Sequence, residues 1–489
     1  MKSKMKYVVL TLLVFMQFSC NDWLELIPPS GLIRDEFWKS KEDVEAVLMA
    51  SYESFGSMDR NLFLYGELRA DLLQGDVNQS DDERNVMESN IYPSNSFASW
   101  SNLYKVINYC NEVIKNAPLV QGIDNTFTDF QLRSLVSEAV FLRSLAYFYL
   151  VRLYRDVPLV LDPSESDDTD FYLPQTPEDA VLEQIAGDLT ANRDFAPTES
   201  FPTIEENKGR ASKAAFDALL AEIALWRFQY EEALTHIQKI EQNIEFEMMP
   251  SSRWFQIFYP GNSLESIFEF QFDGNRNQRN NTFGLTEQNA YQYDPSQASV
   301  EMFGREFSKE IVRGEGATIA KIGDDNYLIW KYVGQSPDGL SVRAGAQQYS
   351  ANWVVYRLAD VLLMKAEALS QLDRYNEALT IINEIRERAN VQPVSIPFNK
   401  VAFEDAILEE RALELAYEGK RWFDLLRMGR RNNFSRKSKL IEIIVSNVPS
   451  TQKRILSAKL TNPSGWYLPI QKDEIERNRN LVQNPYYDF

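Results

Sequence analysis

Histidine is nearly missing from this 489-residue chain: His236 stands alone, so zinc sites built from several imidazoles and histidine-centred nucleophilic machinery have no material. Cysteine is almost as scarce. Cys20 and Cys110 are the only two, which removes thiolate metal cages and disulfide frameworks. Positive charge is also short, with 51 Lys and Arg against 71 Asp and Glu and a formal charge of −20. Nucleic acid is thereby excluded as a partner, since phosphate contacts need clustered cations. These counts assign no cofactor and no metal. What the chain does have is length and 44% hydrophobic positions, enough to bury a large core.

The N-terminus reads MKSKMKYVVLTLLVFMQFSC: Lys2, Lys4 and Lys6, an apolar run from Tyr7 to Met16, then Ser19 before Cys20. That is the layout of a secretory signal peptide over residues 1–19. Ten apolar residues are too few to span a bilayer, for which about 20 are needed. No later stretch is expected to span one either. The cysteine directly after the small residue resembles a bacterial lipoprotein cleavage site, in which Cys20 becomes the acylated first residue. Cleavage there would remove three lysines and leave −20 − 3 = −23. Cys110, in LYKVINYCNEVI, is expected to behave as a small buried hydrophobe.

Helical periodicity dominates the remainder, and no long stretch alternates as a sheet would. In SEAVFLRSLAYFYLVRLYRDVPLV, Leu142, Leu145, Ala146, Tyr149, Leu150 and Leu153 mark one apolar stripe, ended by Pro158. An internal repeat is more informative. GRASKAAFDALLAEIALWRFQYEEALTHIQKI and YRLADVLLMKAEALSQLDRYNEALTIINEI align at a constant offset of 145 residues, so that Ala221, Tyr230 and Ala233 meet Ala366, Tyr375 and Ala378. Each copy reads as one tetratricopeptide-like helical hairpin, in which the small alanine lets two helices approach. Between the copies, residues 250–350 are glycine-rich and polar, a loop-rich insertion in which SIFEFQF and NYLIWKYV predict short strands. The predicted fold is mainly α: hairpins forming a scaffold with that insertion, divided at about residue 245 into an N-terminal helical region, 20–245, and a C-terminal region, 246–489.

At this point the chain resembles the SusD/RagB family of outer-membrane nutrient-binding lipoproteins of Bacteroidetes. The resemblance rests on CNDWLELIPPSG and the FWKSKEDVEAVL helix after it, on the long helix ending in RDVPLV, on RASKAAFDALLAE and YRLADVLLMKAEAL, and on the closing GWYLPIQKDEIERNRNLVQNPYY. The most specific segment is ILEERALELAYEGKRWFDLLRMGR at 407–430. There Gly419 breaks two helices, and Arg411, Glu414, Glu418, Lys420, Arg421 and Arg427 are expected to form helix-surface pairs of a few tenths of a kcal/mol each.

The resemblance implies a surface-exposed, lipid-anchored protein that caps a SusC-type TonB-dependent outer-membrane transporter and captures a nutrient, typically an oligosaccharide. Sugar capture asks for flat aromatic faces and for amide or guanidinium groups. By position in the family, Arg84, Phe97, Trp100 and Asn102 are candidates from a first region, and Asn281, Tyr291 and Trp330 from the insertion. Each has a plainer reading: Trp100 as a helix-start core residue, Trp330 as part of a β-like run, the amides and arginine as ordinary loop residues. Rival functions are peptide uptake, a helical-repeat scaffold, and a glycoside hydrolase, which needs only two carboxylates. His236 reads as a solvated helix residue. The acidic runs at 80–83 and 165–170 read as solvated surface, since the ligand spacing of a calcium loop is missing.

Overall fold

The computed structural model describes residues 37–164, 172–197, 201–286, 292–304, 310–322, 326–446 and 448–488. Cys20, Tyr291 and the acidic run 165–170 lie outside them. As expected, the chain is mostly helical, with its few short strands paired two by two.

Helix α1 (Lys41–Gly56) starts at a capping box in which Asp43 accepts from the Ser40 amide at 2.8 Å. A short α2 (Asp59–Glu67) and α3 (Asp81–Met87) follow. Two long helices, α4 (Ser101–Gln121) and α5 (Asp129–Tyr154), then pack against each other and against α1. The apolar stripe foreseen in α5 proves to be the whole circumference, since every residue from Ser137 to Tyr154 is buried. In length and composition α5 could cross a membrane, contrary to the expectation for all segments after the leader. Its apolar stretch is instead mostly enclosed by protein, which makes it the central core helix. Cys110, on α4, is fully buried, and burial pushes its thiol up to about 12.

The repeated hairpins are α6 (Lys213–Trp226) with α7 (Tyr230–Glu241), and α8 (Leu358–Gln371) with α9 (Tyr375–Arg388). Three of the four helix boundaries match at the offset of 145: 213 with 358, 226 with 371, 230 with 375. Both turns use the same device, a non-glycine residue in the left-handed region: Phe228 and Asp373 each have φ of +61°. Ala233 and Ala378 are fully buried where the helices cross. His236, however, is buried rather than solvated. Its Nδ1 lies 3.0 Å from Asp217 across the hairpin, and Asp217 also accepts from Arg193 at 2.6 Å.

The insertion is spanned by strands. β1 (Leu73–Gly75) precedes it, and β2 (Ser266–Phe270), β3 (Tyr293–Pro295), β4 (Ile319–Ile322), β5 (Asn326–Ile329) and β6 (Trp353–Arg357) follow in order. All pairings are antiparallel: β2 with β6, β4 with β5, and β1 with β3. Both predicted strand segments are thus present. A continuous apolar core draws residues from both sides of position 245, Val44 to Ile240 and Phe246 to Tyr487.

The helices α10 (Lys400–Glu414) and α11 (Arg421–Phe434) carry the signature segment, and here the structure corrects the reading of its charges. They are buried, and apart from Asp424 of the same segment, which meets Arg411 at 2.8 Å and Arg427 at 3.0 Å, their partners come from distant elements. Glu414 accepts from Arg357 at 2.7 Å and Arg313 at 2.9 Å, and Glu418 from Arg357 and Lys331 at 2.8 Å. Arg411 meets Asp360 at 2.9 Å, Arg421 meets Asp71 at 2.7 Å, and Arg427 meets Glu367 at 2.7 Å. Burial opposes ionisation of Glu414, yet the arginines Arg388, Arg357 and Arg313 hold its carboxyl well below the usual range. Removing one member of such a buried set costs about 3–5 kcal/mol, ten times what a surface pair is worth. Gly419 sits at the break with φ of +71°, and a Cβ there would stand 2.8 Å from the Leu62 carbonyl oxygen. Gly66 of α2 faces it so closely that any side chain would overlap the Gly419 backbone.

Candidate functional site

Strand pairing decides where the two nominated regions meet. β1 and β3 align Gln74 with Asp294 and Gly75 with Tyr293, which fastens the insertion to the segment just before α3. Ser80 caps α3 by accepting from the Glu83 amide at 3.3 Å, so the acidic run 80–83 is a helix start. Glu83 is buried, and it accepts from the Tyr293 hydroxyl at 2.8 Å and from Arg60, whose guanidinium also reaches Gln292 at 3.3 Å. Next to Arg60, the fully buried Asp59 accepts from the Asn281 amide and side chain at 2.6 and 2.9 Å, and from Thr282 at 2.8 and 2.9 Å. Burial raises the Asp59 carboxyl, and these four donors oppose the rise. Arg84 and Asn281 therefore flank one hydrogen-bonded seam between N-terminal region and insertion.

Beside that seam is a cavity of about 670 Å³. One wall is Leu68, Leu73 and Met87; the other is supplied by two C-terminal helices, α12 (Lys437–Ser446) and α13 (Ser450–Leu460), through Ile444, Ile455 and Leu456. Its polar lining includes Gln74, Asp76, Arg84, Glu88, Gln452 and Lys459. Arg84 is braced by Asp81 at 2.9 Å. Lys459 donates to the Glu88 carbonyl at 3.0 Å and to Asn90, and burial lowers its ammonium below the ordinary lysine value. Opposite Gln74 on the β1–β3 ladder, burial and the nearby Asp76 raise the Asp294 carboxyl to about 7. Such a volume suits a ligand of a few residues or sugar units.

The other nominated positions fall elsewhere. Trp100 is buried edge-on between Tyr104 and Tyr154, with centroids at 5.6 and 5.3 Å. Phe97 is buried against Tyr65 at 5.3 Å. Trp330 is buried in the insertion's own core, where its indole nitrogen donates to the Ser336 carbonyl at 2.7 Å and its ring lies on the Gly334 backbone. None of these three rings offers the free face that stacking needs, because each closes a local core. Asn102 is exposed on the first turn of α4. Sequence reasoning missed the cavity's second wall, since apolar residues on α12 and α13 look like any buried helix face. It also missed Glu83 and Tyr293, whose partnership spans 210 positions. Among the described residues, no group of three or more His, Cys, Asp and Glu side chains is placed to hold a metal ion.

Comparison with known proteins agrees with this architecture. A family model described as "SusD family" matches residues 265–487, and one described as "Starch-binding associating with outer membrane" matches 22–225. The chain is 26% identical to SusD-like protein P2 of Formosa agariphila over 99% of each chain, and 24% identical to a SusD-like protein of Bacteroides ovatus over 87% of this chain and 82% of that one. Its fold is that of a SusD superfamily protein from Bacteroides thetaiotaomicron, with a TM-score of 0.74 and 22% identity over 92% of this chain and 99% of the other. It is likewise similar to a laminarin-binding SusD-like protein, with a TM-score of 0.71 and 21% identity over 91% and 99%. With both halves matched, on a scaffold of hairpins closed by the buried signature charges, the chain belongs to the SusD family.

Proposed function

We propose that the chain is a lipid-anchored capture protein on the outer face of the outer membrane, which binds a nutrient oligosaccharide and passes it to a SusC-type TonB-dependent transporter. Membership of the SusD family along both halves carries this reading, and a similar fold in a laminarin-binding protein supports the ligand class. Binding without bond cleavage fits the cavity, where Arg84 and Lys459 are already engaged in structural contacts. The seam and cavity replace the buried rings as the proposed ligand contacts, with Arg84 retained from the original nominations and Asn281 and Asn102 as outlying polar contacts. Tyr291 stays a candidate by position alone.

One observation favours the peptide alternative. Among the described residues lining the cavity none is aromatic, while aliphatic side chains and charges of both signs are present. Stacking on a pyranose has no partner there, whereas an aliphatic side chain and the two ends of a short peptide do. Calorimetry of the mature chain against β-glucan oligosaccharides, starch oligosaccharides and mixed tripeptides to hexapeptides decides between them. Arg84→Ala and Ile455→Arg, both at partly exposed positions, should each weaken the bound class at least tenfold. Unchanged affinity in both variants would remove the cavity from the site, and shortened oligosaccharides in the mixture would overturn binding without chemistry. Labelling of cells with a palmitate analogue tests the anchor, with Cys20→Ala expected to abolish incorporation.

A further inference from the structure

A second cavity, of about 450 Å³, lies where the closing segment of the chain crosses the end of α5. It shares no lining residue with the first. Its walls are fixed by the protein alone. Val157 and Pro158 pair antiparallel with Thr176 and Gln175, and three side-chain amides then hold the closing segment by its main chain. Gln175 accepts from the Val482 amide at 2.8 Å, Gln483 exchanges two bonds with the Ile470 main chain at 2.8 and 2.9 Å, and Asn484 donates to the Ser464 carbonyl at 2.8 Å.

Arg155 lines this cavity in a conformation that calls for explanation. With φ of +69° and ψ of −90° it occupies a region that glycine enters freely and residues with a side chain avoid. Strain of this kind persists where the side chain has a role, and the structural contacts of this one are slight. Its Nε is 3.7 Å from Glu178, while the other oxygen of Glu178 already accepts from Trp226 at 2.8 Å and Arg430 at 2.5 Å. The guanidinium is half exposed and makes no hydrogen bond among the described residues. A pair this long and this open holds little together. Asp156, the next residue, accepts from the Glu178 amide at 2.9 Å through one carboxylate oxygen, and its second oxygen accepts no bond among the described residues.

These open groups select the occupant. An anion would meet Asp156 and the negative end of the α5 dipole, and a cation would meet Arg155. A peptide main chain would find the main chain at 464, 470 and 482 already bonded to Asn484, Gln483 and Gln175. A neutral sugar meets none of these obstacles. Each hydroxyl both donates and accepts, so adjacent hydroxyls can take N–H from Arg155 and give O–H to Asp156. Asn480, also in the lining, donates to the Tyr172 carbonyl at 2.6 Å, which brings the 59% exposed Tyr172 ring beside the cavity, and Pro174, Val482 and Pro485 add apolar wall. The first cavity has no such ring.

We propose that this cavity is a second binding site, and that it takes a neutral oligosaccharide whose adjacent hydroxyls bridge Arg155 and Asp156. Its volume suits about two sugar units. Calorimetry of the mature chain against laminarihexaose, maltohexaose, cellohexaose, mannohexaose and xylohexaose, with trigalacturonate and tetralysine as charged probes, tests it. At least one neutral hexasaccharide should bind. Arg155→Gly removes the guanidinium and relieves the backbone together, so it should weaken that sugar at least tenfold while the thermal midpoint stays or rises. Asp156→Asn, which keeps an oxygen for the Glu178 amide, should weaken the same sugar, and Arg84→Ala in the first cavity should not. Binding of none of the five overturns the proposal, as does a charged probe that alone depends on Arg155. A lower midpoint with unchanged affinity in Arg155→Gly would make Arg155 a structural cap. If that variant loses both, unchanged affinity in Asp156→Asn overturns the bridge. Affinity lost in Arg84→Ala but kept in Arg155→Gly would place the sugar in the first cavity, which overturns this site and leaves the capture function standing.

Discussion

The two hairpins, α6–α7 and α8–α9, share their boundaries, their turn geometry and their buried alanines, yet they are wired to the rest of the molecule differently. Glu222 and Glu367 occupy the same position at the offset of 145, and both are buried. Glu222 pairs with Arg152 of the core helix at 2.8 Å and accepts from Tyr356 at 2.5 Å. Glu367 takes two arginines of the signature helix, Arg427 at 2.7 Å and Arg431 at 2.5 Å. At the next level, His236 and Asp217 in the first copy stand where Ile381 and Leu362 stand in the second. The small residues and the turn define the unit, then, and polar residues at matched positions decide which neighbour each copy grips.

That division can be broken by substitution. The largest effect is expected from Glu222→Ala, about 3–5 kcal/mol by urea denaturation, because Arg152 is left buried without a carboxylate among the described residues. Glu367→Ala should cost less, since Arg427 keeps Asp424 at 3.0 Å and Arg431 keeps Glu404 at 2.9 Å. Equal losses would mean the two copies are wired with equal redundancy. Next come Ala233→Leu and Ala378→Leu, each expected to cost roughly 1–3 kcal/mol through overpacking where the helices cross. Here the two copies should agree, and a difference above about 1 kcal/mol would show that the crossings are not equivalent.

Acid sharpens the contrast further. Burial alone would raise the Glu367 carboxyl, but Arg427 and Arg431 pull it down to about 2. Its contribution is present above the unfolded value near 4.3 and is lost as pH falls through about 2, so Glu367→Gln should flatten the stability curve between about pH 4 and 2. The Glu222 carboxyl is lowered in the same direction despite its burial, chiefly by Arg152 and Lys420, and Glu222→Gln should remove stability that is present above the unfolded value near 4.3 and lost on acidification below it. The smallest effect is expected from His236→Ile, about 1 kcal/mol, as Asp217 retains Arg193. A loss above 3 kcal/mol would make the His236–Asp217 contact the main brace of the first hairpin.

Features repeated or local in sequence were the legible ones. Ala233, Ala378 and the aromatic three residues before each mark the hairpins because helix crossing needs a small residue at a regular place. The signature segment identified the family, yet its charges were misread because Arg411, Glu414 and Glu418 have the three- and four-residue spacing of surface pairs. Besides Asp424, which Arg411 meets across the break, their partners Asp360, Arg357 and Lys331 lie outside the segment, and no local rule reaches them. Trp100 and Trp330 illustrate the converse. A tryptophan in a loop-rich region carries little in its own neighbourhood to tell a ligand platform from a plug, because the difference is made by Tyr154 for Trp100, and for Trp330 by the core cluster that includes Trp254 and Phe258, arriving from elsewhere in the fold. For the cavity the same holds: its walls come from chain segments nearly 400 residues apart, Leu68 and Lys459 among them.

The pairing of β2 with β6 brings Phe270 opposite Trp353, so the whole excursion from 271 to 352 leaves and re-enters the scaffold at adjoining residues. A cassette mounted in this way can be lengthened or shortened in its loops while both hairpins stay where they are, provided that Arg313 and Lys331 remain to meet Glu414 and Glu418. The entropic cost of a longer closed loop rises by only about 0.6 kcal/mol per doubling. One frame of helices can in this manner accept rewritten loops while the cavity, which takes only Ser296 of its described lining from this excursion, keeps its walls.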